Sequence, residues 1–260
     1  MAAVRSSKLL HKCVASPTGK HSASVIFLHG SGVYILQWSL SWVKEVSLPD
    51  LAFPHIRVVY PTALARPYTP MRGGGVLSNV WFDLYKISRD CLEHLESIDR
   101  PNGPSTMTCS VLSCSSSKGG FSMGGAMALH LVCRYHRGIA GVLLCPAVEE
   151  RARAGSPLPE LFQGHGTGDE LVFHKWGGET TAVLKKAGMT TTLHSFQGLQ
   201  HQLFRPEIEL LRSWILTKLL PDPHQAAPGS SPSCSRILTK LLPDPHQAAP
   251  GSSPSCSRTV

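Results

Sequence analysis

Short apolar runs alternate with stretches of helical periodicity along most of the chain. Ser24-Val25-Ile26-Phe27-Leu28 and His55-Ile56-Arg57-Val58-Val59-Tyr60 are β-rich runs read as strands, the second closed by Pro61. Ala126 to Tyr135 is rich in helix formers and lacks Gly and Pro, which predicts a helix. Ile139-Ala140-Gly141-Val142-Leu143-Leu144 reads as a buried strand ending at Cys145-Pro146. Pro159 to Gly166 reads as strand then loop, and the loop continues through Thr167-Gly168-Asp169-Glu170. Phe173 to Ala187 is a predicted helix despite Gly177-Gly178, and Thr190 to Phe196 is a β-branched strand. Pro206 to Leu219 closes the series as a helix, with Ile208, Leu211 and Ile215 at helical spacing and Pro206 where a first turn tolerates it. This alternation predicts an α/β fold, a mostly parallel central sheet flanked by helices.

The interruptions set the boundaries. Residues 1–19 read as a polar lead-in, residues 20–220 as the α/β domain, and residues 221–260 as a disordered tail. Pro, Ser, Gly and Ala dominate that tail, and the 22 residues Ile215 to Arg236 recur unchanged as Ile237 to Arg258. Two copies are too few for a solenoid. Tyr34 to Val46 reads as helical, and Asp90 to Asp99 begins a helix that Pro101, Gly103 and Pro104 break. After Pro61 comes a loop rich in Pro and Gly, leading into Ser78-Asn79-Val80-Trp81-Phe82-Asp83. Its length and aromatic content make Trp81 and Phe82 candidates for a substrate-facing element, compatible with their capping the core. Ser113 to Lys118 is polar and loop-like, although a strand is wanted there.

Composition narrows the classes. The charge is 25 minus 17, or +8, with Lys and Arg scattered, so no basic stripe or module points to nucleic acid. A basic surface is compatible with at most peripheral contact with anionic membranes. No apolar core of a signal peptide lies within Met1 to Lys20, and no run approaches the roughly 18 apolar residues of a spanning helix. The expectation is a soluble protein of the cytosol, monomeric, its eight cysteines reduced. With no C-x-x-C pair, no metal and no cofactor are expected.

One stretch carries chemistry. Gly120-Phe121-Ser122-Met123-Gly124 fits G-x-S-x-G, the turn that exposes a nucleophilic serine between a strand and a helix. Acyl transfer by serine needs a base, a carboxylate to hold the base, and donors for the oxyanion. Asp169 and His201 follow in the order acid then base, each after a predicted strand. Glu170 is the rival acid. His165 is the rival base, but it precedes Asp169 and breaks the order. The oxyanion donors are expected to be the backbone amides of Met123 and of Ser31, in the loop His29-Gly30-Ser31-Gly32.

With these residues placed, the chain resembles the acyl-protein thioesterase and lysophospholipase family of α/β-hydrolases. The matching pieces include Phe27 to Gly32, Tyr60-Pro61-Thr62-Ala63, Ser78 to Asp83, Gly120 to Gly125, His165 to Val172 and Trp214 to Leu219. The resemblance implies the α/β-hydrolase fold and a cytosolic serine hydrolase without cofactor. Its substrates would be S-acylated proteins, lysophospholipids or short acyl esters. Ser122, Asp169 and His201 fall on the family's triad positions, and Ser31 and Met123 on its oxyanion positions. The chain departs from the family at Val33-Tyr34-Ile35-Leu36, at residues 100–118, at Cys145-Pro146 and in the duplicated tail. A non-catalytic acyl-binding relative and a poorly folding splice or gene-model variant are the alternative readings.

Overall fold

The structure, a computed structural model, describes residues 12–31, 51–70, 75–88, 97, 117–134, 158–221 and 236–240; for 132–134 and 236–240 it describes the backbone alone. A seven-stranded sheet runs through it in the order β1-β3-β2-β6-β9-β7-β8. The strands are β1 (Lys12–Ala15), β2 (Ala23–Leu28), β3 (Ile56–Pro61), β6 (Ser117–Phe121), β7 (Glu160–Gly166), β8 (Thr191–Phe196) and β9 (Arg236–Lys240). Every neighbouring pair is parallel except β1 with β3. Among the described residues the helices are α1 (Met123–Arg134), α2 (His174–Lys186) and α3 (Arg205–Lys218).

Strand β2 shows how the layers form. Its side chains alternate between faces, as strand geometry requires. Val25 and Phe27 join a core with Val58, Phe121 and Phe162, which Ile208, Leu211 and Ile215 of α3 cover. Ile26 and Leu28 point the other way, into a core with Trp81, Met127 and Leu131. Both faces of the strand are therefore buried, which is why it reads as a continuous apolar run. From β2 the chain goes to β3 on one side and later to β6 on the other. The crevice at the carboxyl ends of β2 and β6 is thus the switch point of the sheet, where open α/β folds bind ligands.

Four expectations change. The polar lead-in contains β1, which pairs antiparallel with β3 and buries Cys13 between exposed Lys12 and Val14. The loop after Pro61 contains a hairpin, β4 (Ala65–Tyr68) with β5 (Val76–Asn79). Beyond it, the Asp83 carboxylate accepts the Thr69 amide at 2.8 Å and the Thr69 hydroxyl at 2.6 Å. The strand wanted before the elbow exists. It starts only at Ser117 and runs through Gly119-Gly120, every residue buried. Pairing on both sides, to β2 and β9, supplies what its side chains lack. Finally, Arg236–Lys240 of the tail forms β9 between β6 and β7, where a disordered segment was expected. The predicted elements at Tyr34–Val46 and Ile139–Leu144 lie outside the described residues, as does Asp90–Asp99 apart from Ser97.

Candidate active site

Ser122 stands between β6 and α1 with φ at 55°, a positive value no other described non-glycine residue shows. The strain of that conformation is held by the packing around it. A side chain at Gly120 would collide with the backbone of Gly124, and one at Gly124 with the carbonyls of Leu28 and His29. The two glycines of the motif thus let strand, turn and helix approach one another and the end of β2. The first helical hydrogen bond runs from the Ala126 amide to the Ser122 carbonyl, 2.9 Å. The Met123 amide, one turn earlier, has no carbonyl of its own helix to bind. It lies at a helix N-terminus, where backbone dipoles favour negative charge.

The loop leaving β2 is braced from three sides. Nδ1 of His29 lies 2.6 Å from the Gly30 carbonyl, so that nitrogen carries the proton. Nε2 then accepts the Ala63 amide at 3.0 Å. The indole of Trp81 donates to the His29 carbonyl at 2.7 Å and packs on the imidazole, ring centroids 5.0 Å apart. Tyr68 hydrogen-bonds the Ser31 side chain, and burial raises its pKa. Burial lowers the His29 pKa to about 4 against the opposing effect of the Gly30 bond. Trp81 and Phe82 are buried in the core around Met127. The Trp81 indole braces the glycine loop, and both rings pack into the core beneath it. Val33–Leu36 lie outside the described residues.

Asp169 follows β7 and His201 follows β8, both buried. Nδ1 of His201 donates to Asp169 Oδ2 at 2.5 Å. The other oxygen, Oδ1, accepts the amides of Leu171 at 3.0 Å and Val172 at 2.8 Å. Burial pushes the Asp169 pKa up, but bonds from His165, His201 and the Val172 amide outweigh it and hold the carboxyl well below the usual range. The carboxylate therefore stays ionised and keeps the His201 proton on Nδ1, leaving Nε2 as the basic atom. The His201 ring lies 6.2 Å from that of Phe121, the residue before Ser122. Among the described residues, Nε2 of His201 has no hydrogen-bond partner. In unliganded sites such bonds are often long and tighten with substrate.

The structure therefore brings Ser122, His201, Asp169, Met123 and Ser31 to the same edge of the sheet, at the ends of β6, β8, β7 and β2. Glu170 is exposed and has no part in the pair. His165 is buried against Asp169 and is no free base. Sequence reading missed the bracing roles of His29, Tyr68 and His165. Only His29 left a signal, beside glycine at the end of a buried strand. Among the described residues no group of three or more His, Cys, Asp or Glu could hold a metal.

Comparison with known proteins follows the same lines. Residues 9–219 match the family described as Phospholipase/Carboxylesterase. The chain is 50% identical over 240 residues to lysophospholipase-like protein 1 of Mus musculus, covering 84% of this chain and 96% of that protein. It is 26% identical over 235 residues to acyl-protein thioesterase 1 of Cryptococcus neoformans, covering 78% and 95%. Among solved structures, acyl-protein thioesterase 2 of Zea mays superposes with a TM-score of 0.65 at 26% identity, covering 80% of this chain and 98% of that one.

Proposed function

Because the chain belongs to the phospholipase/carboxylesterase family of α/β-hydrolases, we propose that it hydrolyses acyl thioesters and esters through Ser122, His201 and Asp169. Ser122 Oγ attacks the acyl carbonyl while His201 Nε2 takes its proton. Asp169 holds the imidazole in the required tautomer and stabilises the imidazolium that forms. The amides of Met123 and Ser31 receive the oxyanion. His201 returns the proton to the leaving thiol or alcohol, then activates water to release the acid. S-acylated proteins and small acyl esters are the proposed substrates, acted on by a monomer in the cytosol. Among the described residues no helix is long and apolar enough to cross a membrane.

The observation that carries this reading is the Asp169–His201 hydrogen bond at 2.5 Å, on the edge where Ser122 sits with φ at 55°. A fluorophosphonate probe and a palmitoyl-thioester peptide test it. The wild type should be labelled and should turn over, and Ser122→Ala should lose labelling and at least about 10⁴-fold of kcat. Equal labelling of Ser122→Ala would sink the mechanism. A second reading, an acyl-binding relative without turnover, draws on the unpartnered Nε2 of His201. It predicts binding of the acylated peptide with neither labelling nor hydrolysis.

A further inference from the structure

His165 lies next to the last residue of β7 and is fully inaccessible to solvent. Its Nε2 lies 2.8 Å from the Val172 carbonyl and 3.4 Å from Asp169 Oδ2. Both neighbours are acceptors, so Nε2 carries a proton and points it into the turn 169–172. The amide of Val172 is already spent on Asp169 Oδ1, and its carbonyl is spent on His165. The turn is thus closed from both ends of one peptide residue, with the carboxylate in the middle. The other nitrogen of His165, Nδ1, is buried and has no hydrogen-bond partner among the described residues. It faces α2 at Gly177, where any Cβ would collide with it. A glycine in a helix interior is less favourable than alanine, so its place here asks for a packing reason. Here it makes room for an imidazole whose useful nitrogen faces the other way.

We propose that His165 is a positioning residue for Asp169, holding the 169–172 turn so that Oδ2 is aimed at His201 Nδ1. The role rests on the Ser122–His201–Asp169 reading above. Three other charged or titratable groups lie nearby. His201 shares Oδ2. His174 packs edge-on to His165, ring centroids 5.3 Å apart, and its own Nε2 is 2.8 Å from the Ser195 hydroxyl. Glu170, next along the turn, is exposed. None of these replaces the His165 N–H at the Val172 carbonyl.

The test compares three variants of the full chain: His165→Leu, His165→Gln and Gly177→Ala. Leu removes the donor, Gln keeps an N–H near the position of Nε2, and Ala at 177 displaces the imidazole without changing it. Active sites are counted with the fluorophosphonate, so kcat is read per competent molecule and is insensitive to unfolded protein. His165→Leu and Gly177→Ala should lower kcat by about 10- to 100-fold with KM unchanged. His165→Gln should recover most of that loss. The far-downfield proton resonance of the Asp169–His201 bond should shift or vanish in His165→Leu and return in His165→Gln. It can also be read in Ser122→Ala, where no turnover is needed. Unchanged kcat per site and an unchanged resonance in both His165→Leu and Gly177→Ala would overturn the proposal, whatever happens to their melting temperatures. If His165→Leu does not fold, His165→Gln and Gly177→Ala decide alone: both must follow the stated pattern. An unlabelled wild type whose downfield resonance still depends on His165 would instead refute the serine-hydrolase reading and leave the coupling of His165 to Asp169 in place.

Discussion

Burial lowers the pKa of both His29 and His130 to about 4. In the unfolded chain both return to the ordinary value near 6.5, so between those limits the unfolded state binds protons that the native state refuses. Stability therefore rises with pH across this window and is lost as pH falls from about 6.5 toward 4, at about 1.4 kcal/mol per pH unit for each histidine. His174 and His194 are lowered by desolvation too and act in the same direction. Urea unfolding at pH 7, 6 and 5 should show the decline, and His130→Gln should flatten it by at most about 1.4 kcal/mol per unit. A slope of zero would mean that these imidazoles are charged in the fold. At this scale the candidate site was largely legible in the sequence. Ser122, Asp169 and His201 are recognisable because a strained turn demands glycines and because the chain order of the three is preserved. His165 was not, because four residues before Asp169 it looks like a competing base. Only the Val172 carbonyl and the helix glycine opposite it reveal what its nitrogens do.

The paired glycines of α2 illustrate how elements are tuned one residue at a time. Gly177 faces β7, and a Cβ there would strike His165, whereas a Cβ at Gly178 would meet nothing within 4 Å. Gly178 has ordinary helical surroundings and no packing reason to be glycine. Gly178→Ala should raise stability by about 0.5–1 kcal/mol with kcat unchanged, read by thermal melting and ester hydrolysis. A destabilised Gly178→Ala would mean that this face of α2 is covered. The helical periodicity of α3 and the continuous apolar run of β2 were readable from sequence because burial on one or both faces dictates the residue type at each position. The strand β6 was not, since Ser117-Lys118-Gly119-Gly120 has no β-branched residue and is held by its ladders to β2 and β9. The tetrapeptide Ile-Leu-Thr-Lys makes the limit explicit. As Ile215–Lys218 it is the last turn of α3, and as Ile237–Lys240 it is most of β9. A short apolar run has no periodicity of its own to choose between these, so its surroundings choose.

For the whole molecule the decisive element is therefore β9. It lies in the interior of the sheet, with Leu238 opposite Gly119 of β6 and Phe162 of β7. The first of those strands presents Ser122 and the second leads to Asp169, so β9 sets the spacing between nucleophile and acid. Yet it spans the junction of the two repeat copies, Arg236 from the first and Ile237–Lys240 from the second, beyond residue 219 where the family match ends. The sequence offers one run inside the matched region suited to the same place, Ile139–Leu144, whose position lies outside the described residues. Proline distinguishes the two arrangements, because it cannot donate to a ladder and is tolerated only at sheet edges. If β9 holds the sheet together, Leu238→Pro leaves a buried ladder carbonyl unpaired and should cost about 1–3 kcal/mol, lowering the melting temperature by roughly 2–12 °C in a chain of this size and reducing fluorophosphonate labelling with it. Against a total stability of about 5–15 kcal/mol, such a loss is large enough to read without ambiguity. The opposite result, an unchanged melt and full labelling in Leu238→Pro, would assign the slot between β6 and β7 to a segment within the family's own span. Ser122 and Asp169 would then owe their spacing to that segment, and the tail could be removed without cost to the site.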